Sequence, residues 1–271
     1  MNPQPTMIDS LLTLNSQVAT LTLNRDDVRN ELTGTQLVED ICNTVHWINT
    51  TPEILVLIIT GDGSAFCAGG NIKDIRGKKG IFAGSPARIS DNYRHSIQRM
   101  SLAMHGAEVP VIAAVNGPGI GAGFDLACMC DIRLGTPATR FGETFIKLGL
   151  IPGDGGAWFL QRLIGYQRAA ELTFSGRIIN AEEALQMGLL LEIVAPEKLL
   201  DRAAELAANF AAQPPQALRM TKRLMKAAQR LELGDLLDVS ASYQANCHSA
   251  EDHQRAMDAI LDKTEATFKG N

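Results

Sequence analysis

Two stretches of this chain share a pattern that few folds accommodate: an unbroken aliphatic run, a glycine-rich turn, then the start of a helix. The first is Ile54–Thr60, closed by Gly61-Asp62-Gly63 and followed by Ser64-Ala65-Phe66-Cys67-Ala68-Gly69-Gly70-Asn71-Ile72. The second is Val111–Val115, closed by Asn116-Gly117-Pro118-Gly119 and followed by Ile120-Gly121-Ala122-Gly123-Phe124-Asp125. A run without polar alternation offers no face to water, so each predicts a strand covered on both sides, as in a parallel sheet. Glycines let the backbone approach a ligand closely, and unpaired N–H groups at a helix start favour negative charge. Two such turns on neighbouring strands can aim two backbone donors at one oxygen. That is the geometry of an oxyanion hole, in which loss of one donor costs about 3–4 kcal/mol.

The rest of the chain fits the same plan. Leu11–Leu14 and Val18–Leu23 read as a hairpin about Asn15–Ser16, and Leu32–Trp47 has helical spacing with Thr33 or Thr35 as its N-cap. Ile132–Leu134 and Leu189–Val194 supply further strands. Strands alternating with helical segments predict an α/β fold. Arg76–Pro86, rich in Gly and Lys, reads as a mobile surface loop beside the site. From Pro196 onward only helices are expected: Leu199–Ala212, a basic helix from Pro215 through Arg230, and Leu236–Phe268. The expected division is an α/β core over 1–198 that carries the site, and a helical region over 199–271 for oligomerisation and for covering the site.

Composition removes several alternatives. A chain of 271 residues, 45% hydrophobic and 20% charged, can bury a sizeable core. The net charge of −5 argues against a nucleic-acid partner. No stretch approaches the roughly 20 apolar residues of a membrane span, and Met1–Asp9 lacks a basic-then-apolar secretory pattern. A cytoplasmic protein without a membrane partner is expected. The five cysteines form no disulfide-like framework, and Cys128 and Cys130 lack a second close Cys or His pair, so buried thiols are expected and no metal. Gly117-Pro118-Gly119-Ile120-Gly121-Ala122 satisfies the dinucleotide pattern G-x-G-x-x-A, but the acid expected about 20 residues on is missing, since Asp131 is too near and Glu143 is misplaced. A serine hydrolase is excluded by the lack of a G-x-S-x-G elbow.

The segments AFCAGGNIKD, PVIAAVNGPGIGAGFDLACMCDIR and LGLIPGDGGAW, in that order, resemble the enoyl-CoA hydratase/isomerase (crotonase) family. The resemblance runs from about Leu11 to the helices after Pro214. It implies a crotonase-like superhelix of repeated ββα units with a helical C-terminal region. It also implies an acyl-CoA thioester substrate, assembly as a homotrimer or dimer of trimers, and no separate cofactor, because coenzyme A arrives attached to the substrate. Ala68 and Ala122 match the residues whose N–H groups hold the thioester oxygen, although glycine is more usual at the second position. Val28, Arg29 and the run Ala68, Gly69, Gly70, Asn71 and Ile72 match segments lining the coenzyme A channel.

Asp125 matches one of two carboxylates that handle water and its protons in the hydratases. It lies three residues after Ala122, so both belong to one helical turn. The second carboxylate aligns with Phe145 and is therefore missing. Two replacements are near: Glu143, which in a strand would share the face of Phe145, and Asp154, one residue from a position where some isomerases of the family keep a working aspartate. Hydration of a 2-enoyl-CoA is expected as the family's commonest chemistry. Double-bond isomerisation by a single acid and a coenzyme A-binding paralogue without turnover are the alternatives. The basic run Arg219, Lys222, Arg223, Lys226 and Arg230 reads as a solvated face or a contact for coenzyme A phosphates, and Trp158 as core packing or, alternatively, a pocket wall.

Overall fold

The computed structural model describes residues 1–271. Its strands are β1 (Ser10–Asn15), β2 (Val18–Leu23), β3 (Val56–Gly61), β4 (Val111–Val115), β5 (Pro118–Ile120), β6 (Ile132–Gly135), β7 (Arg140–Gly142), β8 (Ile178–Asn180) and β9 (Glu192–Ile193). The helices are α1 (Leu37–Thr50), α2 (Ile72–Gly77), α3 (Pro86–His95), α4 (Ile97–His105), α5 (Ala122–Met129), α6 (Gly156–Ile164), α7 (Tyr166–Ser175), α8 (Ala181–Met187), α9 (Leu199–Ala211), α10 (Pro215–Ala227), α11 (Leu233–Ser249) and α12 (Glu251–Asp262). The main sheet has the order β1-β2-β3-β4-β6-β9, with only the β1–β2 hairpin antiparallel. A second sheet, β5-β7-β8, runs beside it.

The unbroken runs are explained by cover on both faces. Leu57 and Ile59 of β3, with Val111, Ala113 and Val115 of β4, belong to the large core beneath α1, α4 and α5. The intervening Val56, Ile58, Ile112 and Ala114 pack with Leu199, Ala203 and Ala207 of α9 on the opposite face. Side chains of period two thus meet apolar partners at every step. Each main-sheet strand continues into a turn that pairs with the next rung: Cys67 bridges to Gly119, and β5 pairs in parallel with β7. These rungs stack strand, strand and helix in turn, and they place the glycine-rich segments in one layer.

Several expectations shift. Helix α1 starts at Leu37 rather than Leu32, because Leu32 N–H donates to the Gly69 carbonyl (2.7 Å) and the Thr33 hydroxyl accepts from Asn71 N–H (2.7 Å). Only Glu192–Ile193 of the Leu189–Val194 run is strand; Leu189 N–H donates to the Ala184 carbonyl (2.8 Å) and closes α8 instead. The Arg76–Pro86 segment contains the end of α2, a 3-10 turn over Gly80–Phe82 and the cap of α3, where the Ser85 hydroxyl accepts from Arg88 N–H (3.3 Å).

Helix α9 belongs to the sheet's packing and α10 is held against the same core, so the helical region stands clear of it only from α11 onward. The basic run is only partly a solvated face: Arg223 and Arg230 are exposed, whereas other cations of α10 are turned to the core. Arg219 donates to the carbonyls of Ile48, Thr51 and Ile54 (3.1, 3.2 and 2.8 Å), and Lys222 pairs with Asp131 (2.6 Å). These cations clamp α10 to the core, where exposed carbonyls at element ends accept them. Helix α11 has no buried residue.

Candidate active site

The two glycine-rich turns lie side by side. Cys67 N–H donates to the Pro118 carbonyl (3.1 Å), and Ile120 N–H donates to the Cys67 carbonyl (3.0 Å). Such an approach needs glycine at both crossing points. A Cβ on Gly69 would stand 2.4 Å from the Ile120 carbonyl oxygen, and one on Gly123 would stand 2.0 Å from the Cys67 carbonyl oxygen. The same Gly69 Cβ position is 3.0 Å from the Ala122 nitrogen. Ala68 and Ala122 consequently line one cavity of about 70 Å³, together with Gly70, Ile72, Phe145 and Asp154.

The two amides are not equivalent. Ala122 is the first residue of α5, so its N–H has no intrahelical partner. Ala68 N–H donates to the Arg29 carbonyl (2.9 Å). Arg29 and Asn30 both adopt left-handed backbone, with φ of 54° and 56°. The Asn30 amide holds that bend: Nδ2 donates to the carbonyls of Asp62 (3.0 Å) and Ala65 (2.9 Å), while Oδ1 accepts from Arg25 N–H (2.8 Å). Val28 and Arg29 thereby come beside the Ala68 turn. Asn71 caps α2, accepting from Lys73 and Asp74 N–H (2.9 and 3.1 Å).

The three candidate acids come together. Asp125, Glu143 and Asp154 are buried, and a Cβ placed on Gly156 would lie 2.2 Å from both Asp125 Oδ1 and Glu143 Oε1. Gly156 is therefore the only residue type that leaves room for this pair. Its N–H, first in α6, donates to Asp125 Oδ2 (3.1 Å). Asp125 Oδ1 and both carboxyl oxygens of Glu143 and Asp154 receive no donor. Burial is the main force on all three, and it pushes each carboxyl above its ordinary value; repulsion from Asp154 and Glu143 raises Asp125 further. Glu143 is pushed up to about 8. A buried carboxylate without donors is costly, so burial and mutual repulsion both favour the protonated form of these acids.

Only Asp154 of the three lines the cavity with Ala68 and Ala122. Its oxygens do not cap α6, whose N-cap is Gly155 with no side-chain bond. The shared-face argument for Glu143 and Phe145 does not hold: β7 ends at Gly142, and a 3-10 turn over Thr144–Leu148 sends Phe145 to the cavity and Glu143 inward. Trp158 is not core either; it is exposed, with the Arg162 guanidinium 3.9 Å from its ring, and lines a different cavity. Sequence reasoning missed Tyr93 on the cavity wall, Asn30, and two residues that hold the Gly153–Asp154 turn. Gln98 donates to the Gly153 carbonyl (2.8 Å) and Ser101 to the Asp154 carbonyl. The Asn30 side chain was detectable as a polar residue inside an otherwise charged turn; the others depend on tertiary contact.

The sequence model of the family Enoyl-CoA hydratase/isomerase matches residues 13–271. Short-chain-enoyl-CoA hydratase of Clostridium acetobutylicum is 33% identical over 254 residues, covering 93% of this chain and 94% of that protein. The 1,2-epoxyphenylacetyl-CoA isomerase of Escherichia coli is 32% identical over 258 residues, covering 93% and 95%. The crystal structure of enoyl-CoA hydratase from Bacillus anthracis superposes with a TM-score of 0.90 at 29% identity, covering 97% of this chain and 100% of that one. The chain belongs to the enoyl-CoA hydratase/isomerase family and has the crotonase fold. It is an enzyme of that family, and no helix is long and apolar enough to cross a membrane.

Proposed function

We propose that this enzyme adds water to a 2-enoyl-CoA thioester. The thioester carbonyl enters the Ala68/Ala122 cavity against Ala122 N–H, the donor of the two without a partner in the chain, where charge develops as the β-carbon is attacked; Ala68 N–H is held by the Arg29 carbonyl. Water's oxygen bonds to the β-carbon, the α,β double bond becomes an enolate, and a proton closes the α-carbon to give a 3-hydroxyacyl thioester. The reaction needs one group ready to take a proton and another ready to give one. A buried cluster that cannot ionise fully holds both states at once. The observation that carries this reading is that Asp125, Glu143 and Asp154 form such a cluster and reach the Ala68/Ala122 cavity through Asp154. Asp154 then acts on the substrate, while Asp125 and Glu143 share its protons from behind. Coenzyme A would lie along Val28, Arg29 and Ala68–Ile72 and needs no further cofactor.

Double-bond isomerisation is the second reading, favoured by Asp154 being alone among the acids on the cavity wall. Crotonyl-CoA in water enriched in oxygen-18, with a 3-enoyl-CoA in heavy water, separates the two by mass. Labelled 3-hydroxybutyryl-CoA supports hydration; deuterium uptake with bond migration and no oxygen label refutes it. The unburied helix α11, with exposed Leu233, Leu237, Ile260 and Leu261 across α11 and α12, supports a homotrimer or dimer of trimers. Light scattering of a monodisperse monomer would refute that assembly.

A further inference from the structure

The cavity lined by Ala68, Ala122 and Asp154 is small, about 70 Å³. An apolar cavity of about 150 Å³ is what takes up benzene, so the inner space suits a chain of only a few carbons. A second space of about 680 Å³ lies outside it, lined by Ile89, Ile151 and Pro152 among others, with Ile151 76% exposed. Four residues border both spaces: Ile75, Phe82, Tyr93 and Leu150. They are the wall between the two. Its largest member is Tyr93, half-buried on α3, edge-on to Phe82 with ring centroids 6.2 Å apart. Behind the ring is Gly153, where a Cβ would meet Tyr93 Cε1 at 2.9 Å. The ring is thus seated against backbone on one side and an aromatic edge on the other. Its hydroxyl makes no hydrogen bond within the chain, so the ring's bulk rather than its polar end carries the contact.

We propose that the ring of Tyr93, seated on Gly153 and Phe82, limits the acyl chain to short groups by separating the inner cavity from the outer groove. This rests on reading the inner cavity as the acyl-thioester site, and it adds the substrate class: acyl groups of about four carbons. Removing the ring joins the two spaces and gives a longer chain a path outward along Ile89, Leu150, Ile151 and Pro152. Pushing the ring inward narrows the inner space further.

The test is equilibrium binding of saturated butyryl-CoA and decanoyl-CoA to the full chain, which needs no turnover. The wild-type protein is expected to prefer butyryl-CoA. Tyr93→Ala should shift the preference at least tenfold toward decanoyl-CoA, Tyr93→Phe should leave it unchanged, and Gly153→Ala should weaken butyryl-CoA binding. Phe82→Ala opens the same wall from the 3-10 turn and serves if Tyr93→Ala does not fold. Wild-type binding of decanoyl-CoA as tight as butyryl-CoA, or an unshifted ratio in the opened variants, overturns the proposal. If neither thioester binds the wild-type protein, the acyl-CoA reading of the cavity fails instead, and the two failures are told apart.

Discussion

Glu143→Gln should make the protein more stable at alkaline pH while lowering its activity. The Glu143 carboxyl is fully buried, accepts no donor at either oxygen, and is pushed from an ordinary 4.5 up to about 8. Its proton is therefore bound more tightly in the folded state than in the unfolded chain. Below about pH 4.5 both states are protonated and nothing is lost. As pH rises from there, the unfolded chain gives up the proton first, and folding stability falls until the folded pKa near 8 is passed. At 1.36 kcal/mol per pKa unit, the loss accumulated by pH 8 is on the order of 4 kcal/mol, a large part of the stability of a typical domain.

Glutamine has the same shape and cannot ionise, and its amide donors suit the acid oxygens beside it. Urea unfolding at pH 5 and pH 8 reads the effect. The wild-type protein should lose a few kcal/mol over that interval, and Glu143→Gln should lose distinctly less. Parallel pH profiles, with the variant falling as steeply as the parent, would show that Glu143 is already ionised in the folded protein and would refute the reasoning.

Asp154→Asn should reduce kcat for hydration on the order of 100-fold or more with little change in coenzyme A binding, as loss of a general acid–base group does; unchanged steady-state kinetics would remove it from the mechanism. Asp125→Asn should also reduce turnover on the order of 100-fold, checked in the same assay. Gly156→Ala should cost about 100-fold in kcat/KM, because the new Cβ at 2.2 Å from two carboxyl oxygens must displace both by about an ångström; near-native kinetics would show the cluster to be loosely held. Asn30→Ala should destabilise the fold by about 1–3 kcal/mol, since it leaves the buried Ala65 carbonyl without that donor. Chemical denaturation measures it.

What could be read in the sequence was local. Ile54–Thr60 and Val111–Val115 announce themselves because both faces of the sheet are covered, so no polar residue interrupts the run. The three-residue strands β5, β7 and β8 leave no such mark: Pro118–Ile120 becomes a strand only by pairing with Arg140–Gly142. The acids divide in the same way. Asp125 is read from the family resemblance, three residues after Ala122, and it is buried behind the cavity that Ala122 lines rather than on its wall. Glu143 and Asp154 were proposed as alternatives for one missing acid, whereas the fold brings both to Asp125. Their meeting depends on Gly156 having no side chain, a tertiary fact that spacing along the chain does not contain.

The unequal state of the two amides follows from how each turn is built. Ala122 stands at the head of a helix, where four N–H groups lack partners by construction, so its donor is free without rearrangement. Ala68 follows a strand-like rung, and rungs satisfy their donors with neighbouring carbonyls; here the neighbour is Arg29. A thioester oxygen reaching Ala68 N–H must therefore share that donor or displace a carbonyl held by two left-handed residues. The donor available without rearrangement is therefore the one at the helix end, while the bend that occupies the other is tied down by Asn30.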